Sequence, residues 1–222
     1  MGTNFNEIKQ EILRRAKKAS ACKREYGRAY AAENLSELSE VIKDNFDWAC
    51  SHDILTIDLI EKYKEDFAAN GIYANQNVES GYLLCSNATV EAYGNATVEA
   101  YGNAMVTAYG NAMVTAYDNA TVWAYDGTTV EAYDNATVLA YNNATVAAYD
   151  NTTVEAYNNT TVEACDNATV EACNNATVRV CNNAYCTSYF TIDCKLSDHA
   201  IYRVRDTNTV YYANSDIKFV KQ

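Results

Sequence analysis

Tyrosine and glutamate recur at eight-residue intervals through the second half of this chain, and they offer the most chemistry. A tyrosine ring can stack on a planar group, and its hydroxyl can donate a hydrogen bond. A carboxylate attracts cations and basic side chains. Stacking and charge are binding chemistry, so these columns predict an interaction surface. Its candidate residues are Tyr93, Tyr101, Tyr109, Tyr117, Tyr125, Tyr133, Tyr141, Tyr149, Tyr157, Glu91, Glu99, Glu131, Glu155, Glu163 and Glu171.

Signatures of catalysis and metal binding are missing from the sequence. It has no Gly-x-Ser-x-Gly elbow, no phosphate-binding P-loop and no His-Glu-x-x-His pair. The chain has only two histidines, and the eight-residue intervals between its late cysteines are not zinc-ligand spacings. We therefore expect no enzyme activity, no cofactor and no metal. The late cysteines are Cys165, Cys173, Cys181, Cys186 and Cys194.

The octad Asn-Ala-Thr-Val-Glu-Ala-Tyr-Gly at 87–94 organises the chain, and it repeats in register through Phe190. A short fixed period is typical of a solenoid. Ala, Val and Ala alternate with Thr, a variable residue and Tyr, which predicts one strand with two different faces. The variable position accepts Glu91, Trp123 and Arg179, so we expect it to face water. The Ala-Val-Ala side should then form the core.

The two remaining octad positions predict a corner, because Asn, Asp and Gly tolerate positive φ angles. The thin Ala-Val-Ala interior favours flat, two-sided coils of sixteen residues over triangular coils of three octads. Two-sided coils would stack Tyr93 through Tyr157 on one face and Tyr101 through Tyr149 on the other. Residues 79–222 would hold eighteen octads, or nine coils.

The predicted fold is mainly β, a parallel β-helix or solenoid with an α-helical cap domain at residues 1–78. Helical spacing of apolar residues predicts three or four helices there, with Asn34 or Ser36 capping one and Thr56 capping another. The solenoid should span 79–222, with clean octads at 87–190 and degenerate coils at 191–222. We expect the degenerate coils to protect the last edge through the basic residues Arg203, Arg205, Lys218 and Lys221.

The formal net charge of −12 is concentrated after residue 78. An acidic surface argues against direct nucleic-acid binding and favours a basic protein partner. The sequence has no apolar run of membrane-spanning length and no apolar segment near its first residue. We therefore expect no membrane binding, a cytoplasmic location and reduced cysteines. Cys165 and Cys181 would be neighbours in a two-sided coil, within disulfide distance, but we favour their interpretation as small apolar replacements of tyrosine.

The helical start and the Asn-Ala-Thr-Val-x-Ala-Tyr-x octads resemble uncharacterised bacterial and prophage octapeptide-repeat proteins, over nearly the whole chain. The resemblance carries no established activity, but a prophage setting implies roles in virion structure or in evasion of host defence. A second similarity is to bacterial ice-nucleation proteins, which also use octads, sixteen-residue coils and a tyrosine ladder. Their Thr-x-Thr motif is absent, because Thr89 is followed two residues later by Glu91.

Three functional hypotheses follow from these patterns. The favoured one is a non-catalytic interaction or structural module that binds a protein partner, or a second copy as a homodimer, through a solenoid face. The second is an acidic nucleic-acid mimic that occupies the binding site of a host protein. The third is ice or surface binding through the threonine column, which Met105 and Met113 interrupt. Whether the head or the rod carries recognition stays open.

Overall fold

The helical head and the solenoid are both present in the computed structural model, which describes residues 4–213. Within these residues, six helices precede eighteen strands. The helices are α1 Phe5–Lys18, α2 Lys23–Ala31, α3 Leu35–Lys43, α4 Phe46–Ser51, α5 Ile57–Lys62 and α6 Lys64–Ala68.

The strands are short and evenly spaced, as one strand per octad requires. The first nine are β1 Ile72–Ala74, β2 Tyr82–Ser86, β3 Thr89–Ala92, β4 Thr97–Tyr101, β5 Met105–Ala108, β6 Met113–Ala116, β7 Thr121–Ala124, β8 Thr129–Ala132 and β9 Thr137–Ala140. The others are β10 Thr145–Ala148, β11 Thr153–Ala156, β12 Thr161–Ala164, β13 Thr169–Ala172, β14 Thr177–Val180, β15 Tyr185–Ser188, β16 Asp193–Leu196, β17 Ile201–Val204 and β18 Thr209–Tyr212.

Alternate octads join two different sheets of nine strands each. One sheet has the order β1-β2-β4-β6-β8-β10-β12-β14-β16, and the other has the order β18-β17-β15-β13-β11-β9-β7-β5-β3. Strands of successive coils pair in parallel with partners sixteen residues apart, as Thr145 and Thr161 do. The predicted parallel solenoid of two-sided, sixteen-residue coils is therefore confirmed.

The interior of the solenoid consists of the Ala, Val and Ala positions of the two sheets. Val90, Val98 and Val106 are completely buried, and so are nearly all the alanines at these positions. Thr128, Thr152 and Thr160 replace the first alanine of their octads and are buried too. Thr128 Oγ1 donates to the Tyr125 carbonyl at 2.6 Å, and the other two threonines make the same bond. The small interior thus accepts a hydroxyl only where a corner carbonyl receives its proton.

The corners have the left-handed backbone that the sequence predicts. Asp118 has a φ of 56°, Asn142 one of 61° and Gly110 one of 72°. Asn and Asp adopt this conformation more readily than other residues with a side chain, and Gly adopts it freely. The turn therefore restricts this position to Asn, Asp or Gly.

The helical head differs from the predicted three or four helices, because two predicted helices are each divided in two. The helix predicted to be capped by Asn34 or Ser36 ends at Lys43 and resumes at Phe46. Between the two parts, Asn45 donates its side-chain amide to the Val41 carbonyl at 2.8 Å. Such a side-chain bond competes with the helix at this point. The helix predicted to be capped by Thr56 is divided at Tyr63. The expected caps are confirmed: the Asn34 side chain accepts from the Glu37 amide, and Thr56 Oγ1 accepts from the Leu59 amide. Strand β1 lies within the range predicted to be helical.

The solenoid has eight complete coils, so the expected nine is wrong. The chain reverses after β17, and β18 pairs with it antiparallel, with Ile201 opposite Tyr212. Asn208, at a φ of 50°, lies in this reversal. The hairpin closes one sheet at its last edge, where a further parallel strand would leave unpaired backbone groups. Arg205 of the predicted basic end pairs with Glu171 at 2.5 Å. Lys218 and Lys221 of the predicted basic end lie outside the described residues.

The junction between head and solenoid depends on Gly81. Its φ is +96°, and a Cβ at this position would lie 2.6 Å from the Gly71 carbonyl oxygen. We expect Gly81→Ala to lower the free energy of unfolding by about 2 kcal/mol or more, because both the backbone angle and the contact are unfavourable for alanine. Urea unfolding of the full chain measures this. Gly27→Ala in α2 is the matched control, since nothing lies within 4 Å of its added methyl group. Equal losses of stability from the two substitutions would contradict the close approach of Gly81 to the Gly71 carbonyl.

Candidate interaction surfaces

The two sheets give the solenoid two outer surfaces, which we call face A and face B. Face A carries the variable octad positions Glu99, Thr115, Glu131, Ala147 and Glu163. Face B carries the variable positions Glu91, Thr107, Trp123, Leu139, Glu155 and Glu171. The candidate glutamates are therefore divided between opposite sides of the rod.

The nine candidate tyrosines form two stacked ladders, as predicted. On face B, Tyr93 to Tyr157 stack with ring centroids 4.9 to 5.2 Å apart and planes within 12°. On face A, Tyr101 to Tyr149 stack at 4.9 to 5.3 Å. Each inner ring is thus covered on both sides by its neighbours. The ring faces serve the stability of the rod, and only ring edges and hydroxyls are left to meet a partner.

Several ladder hydroxyls are held by the glutamate two residues earlier in the chain. Tyr93 donates to Glu91 at 2.5 Å, Tyr133 to Glu131 at 3.0 Å and Tyr157 to Glu155 at 2.6 Å. The bond to the carboxylate raises the pKa of Tyr93 to about 12, and the same kind of bond raises the pKa of Tyr157 to about 12. These phenols therefore stay protonated at neutral pH and fix the orientation of the glutamates beside them.

The head covers the beginning of face A. Leu84 of β2 is buried in the core of the head, and the ring of Phe46 meets the ring of Tyr82 edge-on at 5.1 Å. Tyr117 donates its hydroxyl to Asp47 Oδ1 of α4 at 3.0 Å. The start of face A is therefore closed to a partner, which the sequence did not predict.

Glu99 lies beneath this cover and is only 2% exposed. The prediction that Glu99 lies on an open surface is wrong. Its side chain points outward from the sheet, but α4 covers it. Burial, and then the negative charge of Asp47, raise the pKa of Glu99 to about 8. Glu99 Oε2 and the Tyr101 hydroxyl are buried without a hydrogen-bond partner among the described residues. Glu99 is therefore protonated at neutral pH, since a buried carboxylate without a cation is unfavourable.

The middle of face B is uncharged over three successive coils. Thr107, Trp123 and Leu139 are in register at the variable position. Met105 lies on the same strand as Thr107, at the octad position that threonine usually occupies, and is 42% exposed. Trp123 and Leu139 are partly buried. Glu91 bounds this area at the head end, and Glu155 bounds it at the other end.

Aspartates concentrate along one edge of the rod, the one that follows the tyrosines of face A. They accept backbone amide protons from the preceding coil: Asp134 from the Asp118 amide at 3.2 Å, and Asp150 from the Asp134 amide at 3.2 Å. The opposite edge has Gly94, Gly110, Asp126, Asn142, Asn158 and Asn174 at the matching positions. These aspartates recur every sixteen residues, which is the length of one coil, so they fall on one edge. The sequence analysis missed this period. The acidic edge consists of Asp118, Asp134, Asp150 and Asp166.

Cysteines continue the face A ladder after Tyr149. Cys165 and Cys181 form a disulfide between neighbouring coils, with their Cα atoms 4.7 Å apart. The interpretation of this pair as merely small replacements of tyrosine is therefore wrong. Cys173 takes the equivalent place on face B and is free. A hydrogen bond with Cys194, and then burial, raise the pKa of Cys186, so that thiol stays protonated at neutral pH.

Within residues 4–213, no cluster of three or more His, Cys, Asp or Glu side chains could hold a metal ion. In the same part of the chain, no helix combines the length and the apolar character that crossing a bilayer requires. Comparison with family models, curated proteins and solved structures finds no match to this chain.

Proposed function

We propose that this chain is a non-catalytic interaction module in which the solenoid presents face B to a protein partner. The observation that carries the proposal is the asymmetry of the two faces. The head is fixed to the start of face A through Asp47 and Tyr117. Farther along face A the exposed Met113 lies between Thr97 and Thr129. On face B, by contrast, the exposed Met105 and the partly exposed Trp123 and Leu139 lie in successive coils. An exposed apolar area rimmed by polar residues is typical of a protein-binding site.

The rigidity of the rod supports this role. Each coil hydrogen-bonds to the coils on either side, and the tyrosine ladders add a second set of contacts between coils. A surface that is already ordered loses little conformational entropy when it binds. The solenoid thus serves recognition, and the head serves to cap the first coil and the start of face A.

The acidic edge favours a second candidate, a nucleic-acid mimic that occupies a basic site on a host protein. Its four aspartates repeat once per coil, about 4.8 Å apart, so they form a regular row of negative charge. Such a row could replace phosphates against lysine and arginine side chains. Ice binding gains no support, because Met105 interrupts the threonine column on face B and Met113 interrupts it on face A.

The cytoplasm is the proposed location. Six of the eight cysteines are free thiols in the structure, which suits a reducing compartment.

Two full-length variants separate the candidates. The face variant, Trp123→Thr with Leu139→Thr, removes apolar area without changing charge, and Thr107 shows that the position accepts threonine. The edge variant replaces Asp118, Asp134, Asp150 and Asp166 by Asn, which occupies the matching corner at Asn142. Capture from nuclease-treated host lysate is quantified by mass spectrometry. We expect the face variant to lose its partner at least tenfold. The edge variant keeps the apolar side chains together with Glu91 and Glu155, so we expect it to lose the partner less than threefold.

The mimic makes the opposite prediction for this experiment. Loss by the edge variant alone, together with competition by added DNA, would replace the interaction module with the nucleic-acid mimic. Retention of every partner by both variants would contradict both candidates.

A further inference from the structure

We propose that the middle of face B binds a basic segment of a partner protein that carries apolar or aromatic side chains. This deepens the proposed function and rests on it. The central strip consists of Met105, Thr107, Trp123 and Leu139, with the edges of Tyr109 and Tyr125 beside it.

The central strip departs from the chemistry of the repeat. Glutamate is the commonest residue at the variable position, but the three coils of the strip have Thr107, Trp123 and Leu139 there. Glutamate keeps a rod soluble, whereas a partly exposed indole and isobutyl group favour association. Trp is also among the residues most enriched where protein interfaces bind most strongly.

Carboxylates surround the central strip on several sides. Glu91 lies at its head end and Glu155 at its far end, each in the same column as Trp123. Asp118 and Asp134 of the acidic edge lie three residues before Thr121 and Thr137, where β7 and β9 begin. An uncharged centre within an acidic frame complements a partner with an apolar centre and flanking lysines or arginines.

The frame and the size of the strip both argue against a second copy of this chain. In a two-fold pair of strips, the acidic frames of two chains of net charge −12 would meet. The strip spans three coils and one strand length, which is roughly 14 Å by 13 Å, or about 200 Å². A stable protein–protein interface buries about 800 Å² on each partner. The strip therefore fits a short segment of a partner rather than a second solenoid.

A peptide titration with Trp123 as the reporter tests the proposal. The chain has two tryptophans, so Trp48→Phe in the full-length protein leaves Trp123 as the only one. The probe is a capped hexapeptide of alternating Arg and Phe, compared with Arg-Ala and Glu-Phe peptides of equal length. We expect a saturable blue shift of the Trp123 emission with Arg-Phe, and at least tenfold weaker binding of the other two peptides.

Two lysine substitutions show whether the peptide binds at the strip. Leu139→Lys places a positive charge within it, and Ala147→Lys adds the same charge at the equivalent octad position on face A. We expect the first substitution to weaken Arg-Phe binding at least tenfold and the second less than threefold. Equal effects would overturn the proposal, because the peptide would then bind the acidic surface in general.

Other outcomes separate this proposal from the one it rests on. If Arg-Phe fails to bind while the face variant still loses its cellular partner, the basic segment is wrong and the interaction module stands. If sedimentation shows a dimer that Leu139→Lys converts to a monomer, a second copy occupies the strip and the proposal is overturned.

Discussion

Glu99→Gln makes the protein more stable at pH 9 and leaves its stability at pH 5 nearly unchanged. Burial raises the pKa of Glu99 to about 8, from an ordinary value of 4.5. Between these two values the folded protein keeps the proton that the unfolded chain releases. The free energy of unfolding should therefore fall as pH rises through this window, by up to about 1.4 kcal/mol per pH unit, and the loss is complete above pH 8. Glutamine is neutral throughout, so the variant lacks this dependence.

Urea unfolding at several pH values between 5 and 9 measures the effect as the difference between wild type and variant. Titrating groups that do not interact with Glu99 contribute equally to both proteins and cancel in this difference. Glu131→Gln is the control, because Glu131 has the same octad position on face A but is exposed. Parallel pH profiles of wild type and Glu99→Gln would show that α4 does not cover Glu99 in solution.

Val130→Asp abolishes or severely weakens folding of the solenoid, whereas Thr129→Asp leaves it nearly unchanged. The two residues are neighbours on β8, but Val130 is completely buried and Thr129 is exposed. Val130 lies between Val114 and Val146 in an interior of Ala and Val side chains, where a carboxylate has no partner. Burying it should cost on the order of 4 kcal/mol or more.

The position of Val130 in the middle of the rod increases the effect. Each coil of a solenoid contacts only its neighbours, so disruption of one coil uncouples those on either side. Circular dichroism during urea unfolding measures the loss. Similar stability of the two aspartate variants would mean that the faces of the octad are assigned the wrong way round.

The repeated part of the molecule could be predicted from the sequence because its contacts are periodic. Alternation within one octad determines which side chains point inward, and a slip of one residue would reverse every one of them. The corner residues tolerate positive φ, and two octads per coil place Tyr93 beside Tyr109. Every such contact joins residues sixteen apart in neighbouring coils, so one correct octad predicts the others.

The contacts that determine which face of the solenoid stays open do not repeat along the chain. Only the tertiary structure shows them. Asp47 meets Tyr117 seventy residues away, and this docking of α4 buries Glu99 in a column where Glu131 and Glu163 stay exposed. Their octads are nearly the same, so local sequence cannot distinguish them. The reversal after β17 likewise depends on the open edge of the last coil. The sequence by itself determined the rod and its ladders through repeated local geometry. The docked head determined which face remains open, through contacts made once between distant segments.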